Sequence, residues 1–138
     1  MMNNDLKYYC PKIDEIFIGY ECEYFNPYAN PQWENRILDI DVFNLLLEDD
    51  IFDEMYFRVN YRTKYLDEED VLKLGFKTRK YTPFVYNKDN IYIDFFDLND
   101  VIICTHDKHY DIDYLFRGYC PSINELRKIL KLVTHEIN

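Results

Sequence analysis

Between residues 76 and 115 the chain is a succession of short aromatic and β-branched runs. They are broken by the turn-forming stretches Asn87-Lys88-Asp89-Asn90, Asn99-Asp100 and Asp107-Lys108. Branched and ring-bearing side chains lose χ1 freedom in a helix and fit the pleated surface of a sheet. With breakers every eight to twelve residues, the pattern predicts a meander of about four short strands. Two further segments alternate with period 2. In residues 16–24, Ile16, Ile18, Tyr20, Cys22 and Tyr24 share one face and Glu21 and Glu23 the other. In residues 56–65, Phe57, Val59, Tyr61 and Tyr65 lie opposite Arg58, Asn60, Arg62 and Lys64. The Asn/Pro-rich stretch 26–31 reads as a loop, so residues 34–40 pair back on the first of these strands as a hairpin.

Three segments carry helical signals instead. Asp41 can cap a short helix through Val42, Leu45 and Leu46, which ends in the acidic run Glu48-Asp49-Asp50. Asp67 precedes Glu68-Glu69-Asp70, placing negative charge at the positive end of a helix dipole, and Gly75 stands where a left-handed cap is wanted. Ser122-Ile123-Asn124-Glu125 reads as a capping box, and Ile123, Leu126, Ile129, Leu130 and Val133 recur at helical spacing. The expectation is an α+β fold: a curved antiparallel sheet of about six short strands, a short middle helix and a C-terminal helix packed on one face. At 138 residues, 48% of them hydrophobic, the chain is long enough to bury a core and reads as a single domain over 1–138.

Charge narrows the function classes. The 26 acidic residues outnumber the 16 basic ones, for a formal charge of −10. That balance argues against a general nucleic-acid coat or an anionic-membrane binder, because counterion release rewards excess Lys and Arg. The start shows no charged segment followed by an apolar one, and the longest apolar run is Val101 to Cys104, far below the roughly 20 residues of a membrane span. Cys10, Cys22, Cys104 and Cys120 form no CxxC hook, so four free thiols in a reducing cytoplasm are expected.

The strand Phe17-Ile-Gly-Tyr-Glu-Cys-Glu23, the run Phe57-Arg-Val-Asn-Tyr61 with Tyr65-Leu-Asp-Glu-Glu-Asp-Val-Leu-Lys-Leu-Gly-Phe76, and the ending Leu115-Phe-Arg-Gly118 with Asn124-Glu-Leu-Arg-Lys-Ile-Leu130 occur in that order. Together they resemble the pattern of a family of small uncharacterised proteins of Bacteroidetes and their phages, over about a third of the chain. The chain departs from that pattern by inserting Arg62-Thr63-Lys64 before the Tyr-Leu-Asp motif. These motifs punctuate a fold and carry no chemistry. The resemblance implies a phage or mobile-element setting and supplies no activity.

Several constellations are candidates for chemistry. Cys104, His106 and His109 offer sulfur and imidazole to a soft metal, but strand alternation lets only Cys104 and His106 share a face; a buried cysteine with two solvent histidines is the plainer reading. A small Cys/His enzyme is a third function class, although only three glycines leave no glycine-rich nucleophile turn or phosphate loop. No cofactor or metal is expected. Acidic residues cluster at 39–54 and 89–113, and seven bases cluster at 58–80. Carboxylates two apart on a strand sit about 6–7 Å apart, comparable to phosphates along a nucleic acid, so acidic rows suit a groove built for RNA or DNA. Fourteen tyrosines exceed what core packing needs and suggest an interface.

The expected function is therefore non-catalytic: binding and inhibition of a host nucleic-acid-handling defence effector, in the manner of an anti-CRISPR protein. The partner would be a host protein or ribonucleoprotein complex with a basic groove, met through Asp49, Asp50, Asp94, Asp97, Asp111, Asp113, Tyr86 and Tyr110. The alternative is direct binding of single-stranded RNA on the face of Arg58, Arg62 and Lys64 with neighbouring tyrosines.

Overall fold

A computed structural model describes residues 7–41, 44, 60–79, 82–97, 99–106 and 111–134, with Ile13, Thr82, Pro83 and Asp97 described by backbone alone. The chain divides into two compact units, residues 1–65 and 66–138. The α+β class holds, with nine antiparallel strands among the described residues instead of about six, distributed over two sheets.

The first unit contains β1 (Tyr8–Tyr9), a 3-10 turn (Ile13–Glu15), β2 (Glu21–Phe25), β3 (Trp33–Ile37) and β4 (Tyr61–Lys64), in the sheet order β1-β4-β2-β3. Strands β2 and β3 form the expected hairpin, pairing Glu21 with Ile37 and Phe25 with Trp33. Asn26 organises its loop: its side-chain oxygen accepts from the Tyr28 amide at 3.1 Å, and its side-chain nitrogen donates to Glu34 at 3.1 Å. Ile16, Tyr20, Cys22, Leu38 and Tyr61 form the core of this unit.

Two expectations about its strands are corrected. The alternation read from Ile16 does not run through as one strand, because Gly19, at φ +97°, turns the chain and the Tyr20 amide donates back to the Phe17 carbonyl at 3.0 Å. Ile18 falls on that turn and is 54% exposed, whereas Ile16, Tyr20 and Cys22 are buried as the alternation requires. In the 56–65 segment, Asn60 is helical and the strand begins at Tyr61. Phe57, Val59 and Arg58 lie outside the described residues. Tyr61 and Thr63 are buried and Arg62 and Lys64 half-buried, so the phase read from the sequence is kept. The helix read from Asp41 falls largely outside the described residues; Ile40, Asp41 and Asn44 within it are helical.

The second unit contains α1 (Glu68–Lys73), β5 (Lys77–Arg79), β6 (Thr82–Lys88), β7 (Ile91–Asp97), β8 (Asp100–His106), β9 (Ile112–Tyr119) and α2 (Ile123–Thr134). Its sheet is a meander in chain order, β5-β6-β7-β8-β9. Helix α1 starts in a full capping box: the Asp67 carboxylate accepts from the Asp70 amide at 3.0 Å, and the Asp70 carboxylate accepts from the Asp67 amide at 3.3 Å. It ends where Gly75, at φ +94°, takes the left-handed cap that a side chain resists. Ser122 occupies the corresponding position before α2 and its carbonyl accepts from the Leu126 amide, but its hydroxyl is buried with no partner among the described residues. The Ser122 hydroxyl thus does not make the capping box read there from the sequence.

Alternation decides which sheet face meets α2. Ile91, Ile93 and Phe95 of β7 and Val101 and Ile103 of β8 pack with Leu126, Ile129 and Leu130 of α2 in one cluster, joined by Val71, Phe76 and Cys120. Each such side chain contributes roughly 1.5–3 kcal/mol when fully buried. Leu126→Ala should therefore lower unfolding stability by about 2–5 kcal/mol. Leu132→Ala, on the exposed side of the same helix, should stay within about 0.5 kcal/mol of the parent. Urea unfolding followed by circular dichroism measures both, and equal losses would place the stripe on the wrong face.

Candidate functional site

The register of the β5–β9 sheet defines a second face opposite α2. Tyr92 pairs with Cys104, Asp94 with Ile102, Ile102 with Arg117, Cys104 with Tyr114, His106 with Ile112 and Asp100 with Tyr119. Because Ile91, Ile93, Val101 and Ile103 point into the helix-covered core, these pairs share the opposite face, with Asn87 and Lys77 continuing it across β6 and β5. Among the described residues no helix packs on it. Tyr114 is 70% exposed, and Phe96, Ile112 and Tyr119 are also exposed.

Cations lie against the rings of this face. The Arg79 guanidinium stands 5.2 Å from the Tyr92 ring centre, and that ring in turn lies 4.2 Å from the His106 ring at an interplanar angle of 33°. The Arg117 guanidinium stands 5.1 Å from the centre of Phe96. A bulge between Ile103 and Cys104 alters the β8–β9 register and helps shape a depression of about 360 Å³, lined by Ile102, Tyr114, Leu115, Phe116 and Arg117. On β6, Phe84 is exposed at φ +68°, a left-handed backbone that costs a bulky residue about 1–2 kcal/mol.

Most of the site residues expected from sequence fall elsewhere. Asp49, Asp50, Tyr110, Arg58 and His109 lie outside the described residues, as does the side chain of Asp97. Asp94 belongs to the open face and is half-buried. Asp113 pairs with Thr105, one step from the Cys104–Tyr114 pair, so alternation turns it away from Asp94; Asp111 precedes the strand, and both are exposed. They form no common row with Asp94. Tyr86 is corrected outright: it sits within β6 at 6% exposure, part of the core and not of a turn. Burial, followed by the nearby Glu68 carboxylate, raises its hydroxyl pKa.

Arg62, the centre of the alternative basic surface, is engaged by its own unit. Its guanidinium lies 3.6 Å from the Tyr8 ring centre and 4.1 Å from that of Trp33, and pairs with Glu23 at 3.1 Å. Partly desolvated cation–ring contacts contribute about 0.5–2 kcal/mol each, so this arginine fastens β1, β2, β3 and β4 to one another. Lys64 is half-buried on the same strand.

The three buried thiols, Cys22, Cys104 and Cys120, are poor nucleophiles. Burial pushes Cys22 and Cys120 up to about 12; at Cys22 the Arg36 charge works against this and Glu23 adds to it, and at Cys120 Glu125 adds to it. Cys104 is raised by burial and then by Asp94. Cys104 and His106 share the open face, but among the described residues no group of three or more His, Cys, Asp and Glu side chains gathers for a metal.

No family model, curated protein or solved structure matches the chain. Among the described residues no helix is long and apolar enough to cross a membrane.

A thiol's reactivity follows its thiolate fraction, which falls as the pKa rises above ambient pH. At pH 8 the native protein should release colour from Ellman's reagent first at Cys10, the one cysteine that is not buried. Cys22 and Cys120 should react only on unfolding, when the total reaches four. Rapid native modification of Cys22 or Cys120, located by peptide mass spectrometry, would contradict the burial described.

Proposed function

We propose that the chain is a non-catalytic accessory protein of a phage or mobile element that binds and inhibits a host nucleic-acid-handling effector, a ribonucleoprotein with a basic groove. The observation that carries the reading is the uneven distribution of charge. Residues 1–65 hold 13 acidic and six basic residues, a formal −7, whereas residues 66–138 hold 13 and ten, a formal −3. An acidic surface competes with nucleic acid for a basic groove and steers association over about a Debye length, ~8–10 Å at ordinary salt. Burial and then Asp94 raise the pKa of Cys104, the thiol of the alternative Cys/His enzyme, which supports binding over catalysis there. The phage setting rests on the resemblance of the three sequence segments.

The test is kinetic. Effector complex captured from host lysate is immobilised, and association of the wild type is compared with the Asp49→Lys/Asp50→Lys double variant. The reversal should slow association several-fold with little change in dissociation, and wild-type association should slow as salt is raised from 50 to 300 mM. Salt-insensitive binding that the reversal leaves unchanged would overturn the electrostatic reading.

A further inference from the structure

The geometry points to the open face of the β5–β9 sheet as a binding platform for single-stranded RNA. This goes beyond the proposed function and stands on a different surface from the acidic residues. Sequence-tolerant recognition of a single strand needs rings on which bases stack and cations that track the phosphates, presented on a surface that no other element covers. The face supplies both. Tyr114 and Tyr119 are its most exposed rings, while Tyr92 is already in contact with Arg79 and His106 and Phe96 with Arg117; Lys77 and Arg79 stand at the β5 end and Arg117 on β9.

The dimensions suit a short strand. Five strands spaced about 4.8 Å apart span roughly 19 Å between the outermost two, and side chains two apart along a strand repeat at about 6–7 Å, near the step of an extended nucleotide chain. Charge also distinguishes this surface. Among the described side chains of this face, Lys77, Arg79 and Arg117 stand with Asp94 and Asp100, and Asp97 pairs with Asp100 in the backbone register, so the face is close to charge-balanced in a protein whose total is −10. Tyr114 leaves most of its ring free to receive a base, beside the depression that Arg117 also lines. A ribose 2′-hydroxyl can donate to Asp94 or Asp100 a hydrogen bond that deoxyribose lacks, which favours RNA over DNA.

Fluorescence anisotropy with fluorescein-labelled U12 and dT12, using the full chain at 50 and 200 mM salt, tests the assignment without any host partner. Failure here is therefore separable from failure of the effector reading. U12 should bind more tightly than dT12, and its affinity should fall with salt. Tyr114→Ala should weaken U12 binding about ten-fold and Tyr114→Phe should restore it, because stacking needs the ring and not the hydroxyl. Arg117→Glu should weaken binding and flatten the salt dependence, while Lys131→Glu, exposed on α2, should leave both unchanged. Tyr114 is largely solvent-exposed, so its removal leaves the core intact, and circular dichroism verifies that. No binding of U12, equal or tighter binding of dT12, or equal losses from Lys131→Glu and Arg117→Glu would each overturn the proposal.

Discussion

A five-stranded antiparallel sheet has two faces, and among the described residues of the second unit one amphipathic helix covers only one of them. The arrangement of residues 66–138 follows from that shortage. Strands β7 and β8 give Ile91, Ile93, Val101 and Ile103 to α2 and must therefore turn Tyr92, Asp94, Ile102, Cys104 and His106 the other way. A face left to water is normally polar. This one instead carries rings, tempered by arginine guanidinium groups that lie against Tyr92 and Phe96. Such groups cover apolar surface while keeping their own charge solvated.

The first unit solves its packing differently. Its sheet has short strands, and β1 contributes only two residues to pairing with β4. Side-chain clamps make up for the short ladder: Arg62 between Tyr8 and Trp33 with Glu23 as counter-ion, and Tyr9 stacked on Tyr65 at 4.6 Å. An arginine held this way is spent on structure. A basic residue at the right place in a sequence pattern is thus not automatically available to a ligand; on the second unit's sheet Lys77, Arg79 and Arg117 are exposed.

What was legible in the sequence was what local physics decides. The capping residues of α1, the stripe of α2, the Asn-organised hairpin loop and the turn at Asp89-Asn90 depend on neighbours within a few positions, and each stands where spacing put it. Gly19 was visible too, but period-2 alternation ran straight through it and hid the turn that exposes Ile18. The division of the strands into two sheets depends on pairing between distant segments, β1 with β4 above all, which no local pattern encodes. Asn87 draws a sequence reading of Tyr86 toward a turn, whereas the strand runs to Lys88 and the hairpin turns at Asp89-Asn90. The open aromatic face did leave a trace: residues 91–96 are apolar on both faces but for Asp94, and the sequence offers a single long helix to cover them.

Among the described residues one face of the second sheet is covered and the other accessible, and residue-level tyrosine nitration reads that directly. Limited treatment of the native protein with tetranitromethane, followed by peptide mass spectrometry, should modify Tyr114 and Tyr119 early, together with Tyr28 in the exposed hairpin loop. Tyr86, along with Tyr20 and Tyr61 in the other core, should be spared until the protein unfolds. Nitration of Tyr86 as fast as Tyr114, or protection of Tyr114 in the free protein, would mean that the helix and the open face have been assigned to the wrong sides of the sheet.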